Sequence, residues 1–120
     1  MLTNTDCTVY RYQESGYERL YIPDCFWQDS HNVKITTGAF IQVDETLIYI
    51  PESHSKLAPR TPQKDLIVRG NCPYVFDNAS DATISASLKA LNYRYDVVIV
   101  TSIAYKQYGA ALRHIKVVAE

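Results

Sequence analysis

The sequence predicts a mainly β domain: a small antiparallel β-barrel or sandwich with one short helix and a long loop. Three observations predict it. Tyrosine is abundant, with 10 residues, beside only 4 Gly and 1 Met, and tyrosine with β-branched side chains suits a pleated, half-buried surface. Apolar residues alternate with period two in most segments and follow a helical period in only one. Turn residues separate these segments at short intervals. A length of 120 residues fits one domain, 1–120, and an apolar fraction of 47% supports a single core.

The elements follow in order. CTVYRYQ (7–13) alternates as a short strand, and ESG (14–16) turns the chain, with Gly16 free to take positive φ. YERLYIPDCFWQDS (17–30) reads as a strand interrupted by Pro23. Proline cannot donate to a ladder, so this strand lies at an edge or is bulged there. Trp27 is its expected core anchor. NVKITTGAF (32–40) reads as a further strand with a turn at Gly38, and IQVDETLIYIPE (41–52) follows with period two.

SHSKLAPRTPQK (53–64) holds Pro59 and Pro62 and has no periodicity, which predicts a long exposed loop. DLIVRGNCP (65–73) is a strand closed by Gly70, Asn71 and Pro73. The one helical signal is NASDATISASLKALN (78–92). Ile84, Leu88 and Leu91 share a stripe there, and Ser80 or Asp81 can cap the start. The expected helix spans 80–91 and covers one face or one open end of a barrel.

YDVVIVTSIAY (95–105) is apolar at every position from Val97 to Val100, which predicts burial on both faces. KQYGA (106–110) turns at Gly109, and ALRHIKVVAE returns as the last strand of a hairpin. The total is about seven strands and one helix, with Trp27, Val98, Val100 and Ile115 in the core. Such a pattern favours a closed or nearly closed antiparallel barrel.

Charge and cysteine content narrow the function. A net charge of −1 excludes a protein that coats nucleic acid by bulk charge. No apolar run reaches the roughly 18 residues of a membrane span. The opening MLTNTDCT has neither a basic nor an apolar leader region, which predicts no signal peptide and a cytosolic place of action or assembly. Cys7, Cys25 and Cys72 form no CxxC pair and are odd in number. Buried reduced thiols are expected, not a disulfide framework or a zinc site.

No constellation for catalysis is visible, so no enzyme, cofactor or metal is expected. His31, His54 and His114 lack metal-ligand spacing, and Ser53-His54 lacks the glycines of a nucleophile elbow. The glycines stand singly and make no phosphate cradle. Asp44 and Glu45 point to opposite faces of a strand. Two basic stretches stand out. Lys56, Arg60, Lys64 and Arg69 surround only Asp65, and Lys106, Arg113 and Lys116 surround no acid. Such residues keep edges soluble, or they meet acidic protein surfaces or DNA phosphates.

Four segments carry a resemblance in chain order: LTNTDCTVYRY, the strand pair ending IYIPES, DLIVRGNCP and VVIVTSIAYKQYGAALRHIKVVAE. They resemble small proteins encoded in the head–tail gene cluster of long-tailed phages and prophages of Gram-positive bacteria. The matching positions are Leu2 to Asp6, Ile50-Pro51, Ile67 to Gly70 and Leu112 to Val117. The 53–64 loop and the helix around Ile84 to Leu91 carry no such match.

The element order also looks like that of head–tail connector, or stopper, proteins. The resemblance implies a virion protein of the neck, assembled in the host cytoplasm as a ring of six or twelve copies. It implies portal or adaptor and tail proteins as partners, with non-specific contact to packaged double-stranded DNA and no membrane. Lys56, Arg60 and Lys64 are then the expected DNA-facing residues. Leu112, Arg113, His114, Lys116 and Val118 are the expected protein interface, with Arg113, Ile115 and Val117 read as turned inward. An adaptor or tail terminator of the same connector, and a monomeric β-barrel binding module, are the alternatives. Scattered tyrosines without a basic-aromatic cluster speak against the binding module.

Overall fold

The computed structural model describes residues 3–36, 38–106 and 114–120, and of 30–36, 39–43 and 106 the backbone only. Six strands, β1 (Thr5–Gln13), β2 (Gly16–Thr36), β3 (Ala39–Pro51), β4 (Leu66–Arg69), β5 (Val97–Lys106) and β6 (His114–Ala119), close a barrel in the order β1-β2-β3-β6-β5-β4. Every neighbouring pair is antiparallel. One helix, α1 (Asp81–Arg94), and a 3₁₀ segment, Glu52–Leu57, complete it. The β-barrel expectation therefore holds.

Among the described residues the count of about seven strands is corrected to six, because 17–30 and 32–36 are one continuous strand. β2 changes partner along its length. Gly16 to Cys25 pairs with β1, and Phe26 to Thr36 pairs with β3. The change follows a bulge. Cys25 opposes Thr5 and Ile22 opposes Cys7, so Pro23 and Asp24 together face Asp6. An extra residue bends the strand and raises its twist, and a proline without N–H fits there.

Gly16 begins β2 at φ +126°, and a Cβ there would lie 2.0 Å from Asn78 Oδ1. Only glycine fits that approach. Asn78 binds the neighbouring backbone twice: it accepts from Tyr17 N at 3.0 Å and donates to Tyr17 O at 3.0 Å.

Period-two alternation separates two cores. Inside the barrel lie Cys7, Val9, Ile22, Cys25, Trp27, Ile48, Ile50, Ile67, Val100, Ile115 and Val117, with Val98 packed at the margin. Outside it, Tyr10, Leu66 and Val68 of β1 and β4 pack with Cys72, Phe76 and Leu91. Leu91 and Leu88 bring α1 onto that outer face, so the helix covers a face and not an open end.

Ser80 caps α1 in a reciprocal box. Its Oγ accepts from Thr83 N at 3.3 Å, and Thr83 Oγ1 accepts from Ser80 N at 2.9 Å. This satisfies two of the amides that a helix start leaves free. The cover reaches Val97, which packs against this outer cluster, but not Ile99, which is 44% exposed. Burial on both faces of 97–100 is therefore corrected at Ile99.

The barrel is incomplete in two places. β1 ends at Thr5 opposite Cys25, and β6 ends at Ala119 opposite Thr46. Beyond these points 30–36 and 39–45 pair with each other. On the other side, β4 pairs with β5 only from Val97 to Ile99. Gln63 N then donates to Val100 O at 2.7 Å, and Val100 N donates to Asp65 O at 3.0 Å. Past Val100, among the described residues, nothing pairs with this edge of β5.

Candidate interaction surfaces

The first surface is the basic stretch. Residues expected as one long loop form the 3₁₀ segment and then a strap pinned to the barrel. Ala58 and Pro59 are buried, whereas Ser53, Lys56, Arg60 and Lys64 are exposed. Two side chains hold the strap. The Arg11 guanidinium donates to Lys56 O at 2.6 Å and to Ala58 O at 2.7 Å. The Asp65 carboxylate, fully buried, accepts from Arg60 N at 2.6 Å, Thr61 N at 2.9 Å and Tyr12 N at 2.7 Å.

Burial lowers the Arg11 pKa from its ordinary value, and the nearby Arg60 charge acts in the same direction. The Lys64 ammonium stands 5.4 Å from the Tyr12 ring centre. Lys56, Arg60 and Lys64 thus present their charges from a fixed backbone. No local pattern marks this anchoring, since Arg11 is 45 residues from Lys56.

The second surface is the outer face of β2, β3 and β6. Ile115, Val117 and Ala119 point inward and are buried, while His114, Lys116 and Val118 alternate with them and stay half-buried. That is the facing expected for these three. Leu112 and Arg113 lie outside the described residues.

The register extends the face beyond β6. Phe26 opposes Tyr49, Tyr49 opposes Lys116, and Lys116 opposes Ala104. The Phe26 and Tyr49 rings lie 5.9 Å apart, and Tyr49 meets His114 edge-on at 5.3 Å. Phe26 and Tyr49 were missed by sequence reasoning. Their alternation with Trp27, Ile48 and Ile50 was the available signal.

The barrel mouth holds a third feature, a cavity of about 300 Å³ lined by Trp27, Asp29, Thr46, Arg69 and Asp96 among others. Asp29 Oδ1 accepts from Trp27 Nε1 at 3.1 Å and from Thr46 Oγ1 at 3.1 Å. These bonds orient the Asp29 carboxylate and satisfy the indole N–H.

The thiols are free and buried. Hydrogen bonding to Cys25, with burial second, raises the Cys7 pKa. Such a thiol is a poor nucleophile, because the thiolate is the reactive form. Among the described residues no group of three or more His, Cys, Asp or Glu could hold a metal ion, and no helix is long and apolar enough to cross a membrane.

No curated protein and no solved structure matches the chain. A family model does, across residues 2–120, and the chain accordingly belongs to DUF6751, a family of unknown function.

Proposed function

We propose that this chain is a structural virion protein of the phage neck: a stopper-like head–tail connector that forms a ring between portal or adaptor and tail and helps retain packaged DNA. The observation that carries the reading is the half-buried outer face of β2, β3 and β6. Phe26, Tyr49, His114, Lys116 and Val118 there combine apolar, aromatic and basic groups at half burial. A face of this kind suits a protein interface with a polar rim. The ordered sequence resemblance supplies the neck context.

In this reading the chain is not an enzyme and works by contact alone. The partners are further copies of itself and the portal or adaptor and tail proteins, while Lys56, Arg60 and Lys64 meet DNA phosphates in the channel. Phosphate contacts of this type are independent of sequence and weaken steeply with salt. The adaptor and tail-terminator roles use the same contacts at other levels of the neck.

Gene replacement in a phage or prophage that encodes the chain tests the proposal. Deletion should give filled heads that lose DNA and fail to join tails. Lys56→Ser, Arg60→Ser and Lys64→Ser together should let heads join but leak their genomes. Complete, infectious particles without the protein would contradict the proposal. Retention of DNA by the triple variant would contradict the assignment of the strap to the channel.

A further inference from the structure

The interior of the barrel ends in a polar layer. Paired residues share a face of the sheet, so the register says which side chains follow the apolar core to its mouth. Asp29 lies two residues beyond inward-facing Trp27 and opposes Thr46, itself two residues before inward-facing Ile48. Arg69 lies two residues beyond Ile67 and opposes Cys7, both core residues. Val97 opposes Val68, so Asp96 and Arg69 are the next neighbours outward on β5 and β4. Asp29, Thr46, Arg69 and Asp96 all line the cavity of about 300 Å³ at this end.

Trp27 Nε1 and Thr46 Oγ1 both donate to Asp29 Oδ1, each at 3.1 Å. The carboxylate is thereby oriented, and its Oδ2 remains the accepting atom for a ligand. Asp29, Arg69 and Asp96 are exposed. Among the described residues neither Arg69 nor Asp96 has an ion-pair partner. Two carboxylates against one guanidinium leave one negative charge in excess. Trp27 and Val98 give the cavity an apolar floor. An apolar floor with a few convergent polar groups, at the mouth of a β-barrel, is a usual place for a small ligand.

We propose that the barrel mouth binds a free basic α-amino acid, lysine or arginine. Its carboxylate meets the Arg69 guanidinium, and its α-ammonium meets Asp96 beside it. These two ligand groups stand on one carbon, and the two side chains that receive them stand side by side on adjoining strands. The aliphatic stem crosses Trp27 and Val98, and the side-chain cation reaches Asp29 Oδ2. Long cationic side chains pack their stems on apolar surface in this way. A ligand with one net positive charge balances the excess negative charge of the mouth, and each of its three contacts is a charge-assisted hydrogen bond. A neutral amino acid leaves Asp29 without a counter-charge. A lysine side chain within a peptide leaves Arg69 and Asp96 without theirs. The mouth therefore selects the free, basic form. The site does not depend on the ring proposed above.

The chain has 1 Trp, and its indole N–H is bonded to Asp29, so a single nitrogen–proton NMR cross-peak reports the site. The full chain is titrated with L-lysine, with L-norleucine, which lacks only the side-chain ammonium, and with Nα-acetyl-L-lysinamide, which lacks both α-charges. L-lysine should shift the cross-peak to saturation. The other two should bind about tenfold more weakly or worse, since a hydrogen bond to a charged group is worth roughly 1.5–3 kcal/mol. Arg69→Gln should weaken L-lysine about tenfold and leave Nα-acetyl-L-lysinamide unchanged. Asp96→Asn should do the same, and it decides the matter if Arg69→Gln does not fold. The absence of a saturable shift with L-lysine overturns the site. Norleucine that binds as tightly as lysine overturns the role of Asp29. Equal binding of Nα-acetyl-L-lysinamide, or a folded variant at either position with unchanged affinity for L-lysine, overturns the free amino acid as ligand.

Discussion

Tyr105 and Ile115 oppose each other across β5 and β6, yet Ile115 is 1% exposed and Tyr105 is 69% exposed. Paired residues share a face of the sheet, so Tyr105 has the register of a core residue without a core above it. The reason lies on the other side of β5. β4 ends its pairing at Ile99, and the strap supplies only the bonds at Val100. The β4–β5 seam is the shortest of the barrel, and among the described residues no strand continues it past Ile99.

The strap depends on one carboxylate. Asp65→Ala removes the acceptor of three backbone N–H groups and should cost about 3 kcal/mol, since each unsatisfied buried donor costs roughly 1–3 kcal/mol. Urea titration measures the loss. Trypsin should also cut first at Lys56, Arg60 or Lys64 in this variant, while the wild type resists there. Equal protection of the two proteins would show that Asp65 does not hold the strap.

The approach of Asn78 to Gly16 makes a second test. Gly16→Ala combines a strained φ with a Cβ inside the Asn78 side chain, and strain at such a position costs on the order of 1–3 kcal/mol. Asn78→Ala removes the clash but also two hydrogen bonds. The double variant should therefore be less destabilised than the sum of the singles, because the sites share one contact. Additive costs in a double-mutant cycle contradict the proposed clash.

Trp27 anchors the barrel interior at 7% exposure, with its indole N–H on Asp29. Trp27→Ala should cost about 3–5 kcal/mol, the usual range for a buried large aromatic. Trp27→Phe should cost less but strand the Asp29 carboxylate of one donor. A loss below about 1 kcal/mol for Trp27→Ala, measured by denaturant midpoint, would mean that the mouth is solvated.

Tyr10 links stability to alkaline pH. Burial, with the Cys72 hydrogen bond second, raises its pKa from the ordinary value of 10.0. The folded state thus holds the phenol proton more tightly than the unfolded state. The resulting stability is fully present below pH 10 and is lost as pH rises through the folded pKa. Thermal midpoints should fall above pH 10, and Tyr10→Phe should flatten the fall. An unchanged slope in Tyr10→Phe would remove Tyr10 from the linkage.

Much of this was legible in the sequence. Alternation marked CTVYRYQ as a strand and assigned inner and outer faces in HIKVVA, and Ser80 or Asp81 with the Ile84-Leu88-Leu91 stripe located the helix. Pro23 marked an edge or a bulge because its missing N–H is a local property, and the register shows the bulge. What was not legible depends on distant pairing. The continuity of β2 past His31 reflects a change of partner, which alternation does not encode. Ile99 looked buried because the sequence does not say how far α1 reaches. The strap looked loose because its anchors, Arg11 and Tyr12, lie far away in sequence. The candidate interface was only half legible: His114, Lys116 and Val118 were readable from β6, whereas Phe26 and Tyr49 join them through sheet register.

Ring formation is the central claim, and direct imaging tests it. The purified protein, concentrated and also mixed with the neighbouring portal and tail gene products, should show annular particles in negative stain, with a mass by light scattering of several copies. Uniform monomers in both conditions would contradict the connector reading, even with the barrel intact.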